Sequence, residues 1–226
     1  MKALFFDTGP VITLILSRLV EILPQLKEKF GGKFYITPAV RKELIERPIT
    51  VRRFEFEALQ VLQLVNKGVL EVYEKVPIKK VDSYIALANA AFEVNGKPMD
   101  IIQSGEMESI AAAVEVGTAV VMDERTLRLL LEDAAGLKEL LERRFESPIT
   151  INLEKVRQLQ QMVQVSIIRS VELLGVSYKL GLLQDYLPPQ RGGKELLLDA
   201  VLWNAKYNGC AVTEEELGEL KQFLLK

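Results

Sequence analysis

Residues 105–123 read GEMESIAAAVEVGTAVVMD, and this stretch decides the architecture. Met107, Ile110, Ala111 and Val114 fall three or four apart, which puts an apolar stripe along one side of a helix from Gly105 to Val116. Gly117 stops that helix, because glycine enters the left-handed region past a helix end without a Cβ clash. Thr118 to Met122 then runs nearly unbroken in apolar and β-branched residues, as a strand buried on both faces does. Asp123 closes it. A helix leading straight into a fully buried strand is the repeating unit of a parallel sheet covered by helices.

The same unit recurs on the N-terminal side. Lys2 to Phe6 reads as a short buried strand ending at Asp7, followed by a helix from about Pro10 to Leu23. After Gly31-Gly32, Lys33 to Thr37 (KFYIT) has the aromatic and β-branched content of a second strand. Thr37-Pro38 opens a helix through Glu46 that stops near Pro48, and Val51 to Asn66 forms another, with Phe54, Ala58, Leu59, Leu62 and Val65 on one face. Val69 to Tyr73 is a third strand; Asp82 is expected to cap a helix to about Val94, and 95–98 (NGKP) to be a loop.

Beyond Asp123 a helix is expected from Thr126 to Arg143, and Pro148 to Ile151 as a fifth, edge strand. Strand signals then cease. Leu153 to Leu174, Tyr178 to Leu187, Leu196 to Asn208 and Glu214 to Leu225 read as helices, the last opened by a Thr213–Glu216 capping box. The 226-residue chain is therefore expected to hold an α/β domain over 1–151 with a mostly parallel sheet, and a helical C-terminal extension over 152–226.

Absences narrow the chemistry. The chain has no histidine and one cysteine, Cys210, which excludes imidazole bases, Ser-His-Asp and Cys-His triads, and histidine- or multi-cysteine zinc sites within one chain. Carboxylates, hydroxyls, lysines and oxygen-bound hard cations such as Mg2+ or Mn2+ remain. A net charge of −2 does not mark a wholly basic nucleic-acid binder. No segment reads as a signal peptide or reaches the ~20 apolar residues of a membrane span, so a cytoplasmic location without membrane contact is the expectation.

In a parallel sheet, functional residues gather beyond the strand C-termini, where strand order reverses. Asp7 and Asp123 stand at two such ends. Glu43 lies early in the helix after the second strand, and Glu106 and Glu108 open the helix that leads to the fourth. Four segments thus bring acids to one edge, and packed carboxylates are tolerable when protonated or bridged by a divalent cation. Each acid also has a plainer use. Asp7 and Asp123 suit helix caps, Glu43 suits a surface helix, and Glu106 and Glu108 suit a first helical turn.

The segments LFFDTGPVITL, ITPAVRKELIERP, GEMESIAAAVEVG and AVVMDERTLRLL resemble, in that order, the successive motifs of PIN-domain ribonucleases. The likeness runs from about Met1 to Ile151 and is nearest to prokaryotic members whose third motif begins Gly-Glu-x-Glu. It implies a PIN-like three-layer sandwich, Mg2+ or Mn2+, and hydrolysis of RNA. Matched position by position, the implied catalytic and metal-holding acids are Asp7, Glu43, Asp123 and one acid of the third motif. Glu106 stands 123 − 106 = 17 positions before Asp123, nearer the family's spacing, and Glu108 is the alternative; helical phase does not choose between them. Thr8 matches the small hydroxyl residue after the first acid; Arg125 and Arg128 are candidates for contacting phosphate, and an exposed helix face accounts for them as well. An RNA substrate and a protein antitoxin are partners this resemblance allows, with RNA processing or quality control as the other role. In the helical extension, VSIIRSVELLGVSYKLGLL offers a face to pack on the nuclease domain or to pair two chains as a homodimer.

Asp7-Thr8-Gly9 also matches the aspartic-protease tripeptide, but those enzymes need two such carboxylates and this chain has one copy. Gly9 occupies the place where a haloacid-dehalogenase-like phosphatase needs a second aspartate, and no Walker lysine loop is present. The remaining rival is a catalytically inactive PIN-like module that binds RNA or protein.

Overall fold

Phe5 and Phe6 are both fully buried although their side chains leave opposite faces of one strand, so that strand must lie between two layers. The computed structural model describes residues 2–226. Its strands are β1 (Ala3–Phe6), β2 (Lys33–Ile36), β3 (Glu71–Val72), β4 (Phe92–Val94), β5 (Lys97–Pro98), β6 (Ala119–Val121), β7 (Ile149–Ile151) and β8 (Ile167–Ile168). The N-terminal helices are α1 (Thr8–Leu16), α2 (Ile22–Phe30), α3 (Pro38–Arg41), α4 (Glu55–Asn66), α5 (Ile78–Asn89) and α6 (Ser104–Val116). They are followed by α7 (Arg125–Glu132), α8 (Ala134–Phe145), α9 (Leu153–Met162), α10 (Ser170–Lys179), α11 (Gly193–Tyr207) and α12 (Glu214–Leu225).

The central sheet has five strands in the order β3-β2-β1-β6-β8, and every neighbouring pair is parallel. Leu4, Phe6, Phe34, Ile36 and Val121 face a core closed by α1, α2, α4, α10, α11 and α12. Phe5, Val120 and Met122 face a second core closed by α5 to α9. Helices on both faces of a parallel sheet make the chain an α/β protein, in an arrangement compatible with a three-layer sandwich. Phe5, Tyr35 and Tyr73 pack with ring centroids 5.1 to 5.4 Å apart, a geometry that adds about 0.5–1.5 kcal/mol per pair to simple burial.

Several elements depart from the sequence expectation. The helix expected over Pro10–Leu23 ends at Leu16: Arg18 turns left-handed at φ 59°, and a second helix starts at Ile22. Leu14 and Ile15 before the break, Leu19 and Val20 within it and Leu23 after it are all buried, which is why apolar spacing runs through it. Helix α4 begins at Glu55 rather than Val51. Helix α5 begins at Ile78, so Asp82 lies inside it rather than capping it. The segment 92–98, expected as a helix end and a loop, is instead a hairpin whose turn is Asn95-Gly96 at φ 52° and 71°. Two consecutive left-handed residues are what a tight hairpin requires, and Asn-Gly is their best sequence.

That hairpin also corrects the fifth strand. β7 pairs antiparallel with β4, Phe92 opposite Ile151, in a separate three-stranded sheet and not at the edge of the central one. The expected helix over Thr126–Arg143 breaks at Asp133, whose carboxylate caps Gly136 N at 3.0 Å. The expected helix over Leu153–Leu174 ends at Met162 and is followed by β8, which extends the central sheet beside β6. Ser166 O and Ile168 O accept from Val120 N and Met122 N at 3.0 and 2.8 Å. Sheet and core therefore run on past residue 151. Tyr178–Leu187 is the end of α10 and a short 3-10 turn at Gln184–Tyr186, and α11 starts at Gly193 rather than Leu196. Helix α12 spans Glu214–Leu225 with its capping box formed, as the sequence predicts. Among the described residues no helix is long and apolar enough to cross a membrane.

Candidate acidic site

The chain adds β2 and β3 on one side of β1, then β6 and β8 on the other, so strand order reverses between β1 and β6. Asp7 and Asp123 follow these two adjacent strands, and Asp7 N donates to Val121 O at 2.9 Å across the reversal. Both side chains are nearly closed to solvent, at 5% and 4% exposure. Their surroundings then diverge.

Asp7 takes the N-cap position of α1 with extended backbone. Burial pushes its carboxyl from 3.8 up to about 6; the charges of Glu43 and Asp123 push the same way, and the N–H groups of Thr8 and Gly9 oppose them. Glu43 sits in the π-helical stretch Lys42–Glu46 that continues α3. Its Oε2 accepts from Thr8 Oγ1 at 2.7 Å, which fixes the carboxylate against the residue next to Asp7. Its Oε1 lies so close to α6 that a Cβ added to Gly105 would stand 2.9 Å away. The glycine that begins Gly-Glu-x-Glu is thus what lets Glu43 approach the helix bearing Glu106.

Helical phase left Glu106 and Glu108 equivalent, and their partners separate them. Glu108 Oε2 accepts from Ala39 N at 3.3 Å, so it satisfies the first turn of α3. The carboxyl of Glu106 is pushed up to about 8, first by burial, then by the charges of Glu124 and Asp7 and, more weakly, Glu43; only Gln103 N–H opposes. Asp7, Glu43 and Glu106 therefore stand within electrostatic reach of one another, and Glu108 is turned to another task.

Asp123 is held differently. Its Oδ1 accepts from Ser170 N at 2.8 Å, and its Oδ2 accepts from Ser170 Oγ and from Thr13 Oγ1, the latter at 3.1 Å. These bonds tie β6 to α10 and α1, and the Cys210 thiol is a further hydrogen-bond partner of the same carboxylate. The neighbouring acid Glu124 was not singled out from the sequence. It caps α7 by accepting from Leu127 N and lines a 230 Å3 cleft with Gln103, Glu106, Thr126 and Arg144. The tandem Asp123-Glu124 was the available signal, since strand-end phase decides which of two adjacent acids faces outward. Arg125 is exposed and, among the described residues, has no partner.

Carboxylate oxygens whose proton affinity is raised by burial and, to a lesser degree, by one another suit a hard divalent cation. The arrangement is not a finished cage: among the described residues, no group of three His, Cys, Asp or Glu side chains is placed to hold a metal ion. No family model, curated protein or solved structure matches this chain.

Proposed function

We propose that the chain is a PIN-domain ribonuclease, a cytoplasmic endoribonuclease that hydrolyses RNA phosphodiesters with Mg2+ or Mn2+, which would have to draw Asp7, Glu43 and Glu106 together, since as they stand they do not form a ligand group. The observation that carries this reading is the gathering of acids from separate segments at the switch point: Glu43, fixed by Thr8 Oγ1 at 2.7 Å beside Asp7, reaches Gly105 of the helix that bears Glu106, and burial raises the carboxyls of Asp7 and Glu106. At neutral pH that arrangement costs stability, and a cation relieves it. When bound, such a cation polarises a phosphate and acidifies water, which supplies hydrolysis without histidine. The protein's own part is placement. Thr8 holds Glu43, the bare Cα of Gly105 admits it, and Glu108 seats α3 against α6. Asp123 joins as a ligand only by exchanging one of its bonds to Ser170, Thr13 or Cys210, and Arg125 is free to meet a substrate phosphate. A second copy of the chain and a protein antitoxin are the further partners of this reading, to be tested by light scattering and by co-purification.

Retained cleavage-free binding is the second reading, that of an inactive PIN-like module. It is favoured by the engagement of Asp123 with Ser170 and Thr13 and by the absence of a preassembled ligand group among the described residues. RNA cleavage in Mn2+ and Mg2+ separates the two. The wild type is expected to cleave, and Glu43→Gln and Glu106→Gln to fall by about 100-fold or more, the size of effect that loss of one group stabilising developing charge produces. A wild type that binds RNA and is inert in both metals supports the inactive module. Equal cleavage by all three proteins points to a contaminant.

Gly105→Ala tests placement alone. A methyl group there meets Glu43 Oε1, the end of a flexible side chain, while alanine in this first turn of α6 favours the helix by less than the about 1 kcal/mol of a helix interior. Stability should therefore change by less than about 1 kcal/mol while cleavage falls roughly 10- to 100-fold, because small misplacements near the reacting group are costly. Unaltered cleavage would show that the Glu43–Gly105 approach is incidental.

A further inference from the structure

The first turn of α7 separates two clefts of opposite character. Glu124 and Thr126 border the acidic one described above, and Arg125 between them borders the other. The second cleft, of 210 Å3, is lined by Arg125, Arg128, Lys206, Cys210, Thr213 and Glu216, among others. It adjoins Asp123 as well, because Ala211 N donates to Asp123 O at 3.4 Å. We propose that this cleft is a phosphate subsite, taking one backbone phosphodiester of a single-stranded RNA whose neighbouring segment lies over Glu106 and Asp7. The inference rests on the ribonuclease reading and adds to it the path of the substrate.

Three features favour an anion. Arg125 is unpaired among the described residues. Arg128 has 16% side-chain exposure, and its Nε is buried with no hydrogen-bond partner. Its ion pairs are long, 3.5 Å to Glu132 and 3.9 Å to Glu216. The acids around the cleft are largely engaged elsewhere. Glu216 is bound by Arg169 at 2.6 Å and caps Thr213 N at 2.8 Å, and Glu214 meets Lys206 only at 3.7 Å. The cleft is below the about 300–1,000 Å3 of pockets for drug-sized ligands, so it fits a phosphodiester better than a whole nucleotide. The exposed ring of Tyr207, stacked on Trp203 at a centroid distance of 5.7 Å, lies on the helix that carries Lys206.

The test is binding of a 12-nucleotide single-stranded RNA by fluorescence anisotropy across a salt series. The Asp7→Asn background with Mg2+ keeps the RNA intact. Arg125→Ala combined with Lys206→Ala should weaken binding at least tenfold at low salt. The slope of log affinity against log salt should become shallower by about 0.7 per cation removed. Arg125→Ala alone, at an exposed position, should give the first half of that change and keeps the test decisive if the double variant folds poorly. Unchanged affinity and slope, with the parent protein active on RNA, would overturn the subsite and leave the ribonuclease reading standing. A wild type that neither binds nor cleaves RNA would overturn both.

Discussion

Asp7→Asn is expected to make the protein more stable at neutral pH, by about 2–3 kcal/mol, and to abolish RNA cleavage. The carboxyl of Asp7 rises from 3.8 to about 6 on folding, chiefly by burial, with Glu43 and Asp123 adding. Each unit is worth about 1.4 kcal/mol, so ionised Asp7 disfavours the folded state by roughly 3 kcal/mol above pH 6. The sign follows from proton binding. Between pH 4 and 6 (approximately) the folded chain holds more protons than the unfolded one, so stability is greatest at the acid end and falls as pH rises.

Glu106, raised from 4.5 to about 8, continues the fall toward pH 8, with a smaller effect because part of its side chain meets solvent. Asparagine keeps the shape and the acceptor toward Thr8 and Gly9 N–H and removes the charge. Thermal unfolding with EDTA at pH 7.5 should show the variant roughly 5–10 °C above wild type, and the gap should shrink to roughly half at about pH 5 and close near pH 4. Mn2+ should raise the wild type toward the variant and leave the variant nearly unmoved, since a ligand that binds only the folded state stabilises it. A variant no more stable than wild type at pH 7.5 would sink the claim that burying the Asp7 charge among other acids costs the fold stability.

Asp123→Ala should do the reverse and cost about 3–5 kcal/mol. Its carboxylate accepts from Ser170 N, Ser170 Oγ and Thr13 Oγ1 in a buried setting, and each donor left unpaired costs about 1–3 kcal/mol. Thr13 keeps a second acceptor, Asn208 O at 3.3 Å, so its share is the smallest. The nearby Cys210 thiol offers no replacement. Burial and the charge of Asp123 push its pKa upward, which keeps it a neutral, weak partner at neutral pH. Asp123→Asn retains an acceptor for Ser170 N and should lose only about 1–2 kcal/mol. Urea unfolding of both variants measures this, and an alanine variant as stable as wild type would show that Asp123 does not bind β6 to α10. Because the two aspartates have opposite expected effects, the pair distinguishes a site acid from a structural one.

Much of this was legible in the sequence because the signals were local. Gly117 after an amphipathic run, the unbroken Ala119–Val121 core, and Thr213–Glu216 each act within a few residues, and each forms as read. The placing of Asp7 and Asp123 at strand ends was legible for the same reason. Strand β8 was not, since two residues carry no period, and only their bonds to β6 make them a strand. The Asn95-Gly96 turn was legible in principle, but the helical run before it masked a three-residue strand.

The amino-acid sequence by itself determined the alternation of helices and parallel strands, the exclusion of histidine chemistry and multi-cysteine zinc sites, and the position of Asp7 and Asp123 after two strands at one end of the sheet. Only the tertiary structure decided what those acids face. Glu106 meets other carboxylates and Glu108 meets Ala39 N, although both leave the same helix two residues apart. Asp123 is engaged by Ser170, 47 positions away, on a segment that reads as helix in isolation. Side-chain surroundings are set by contacts between distant segments, and helical phase and strand ends carry no record of which neighbour will arrive.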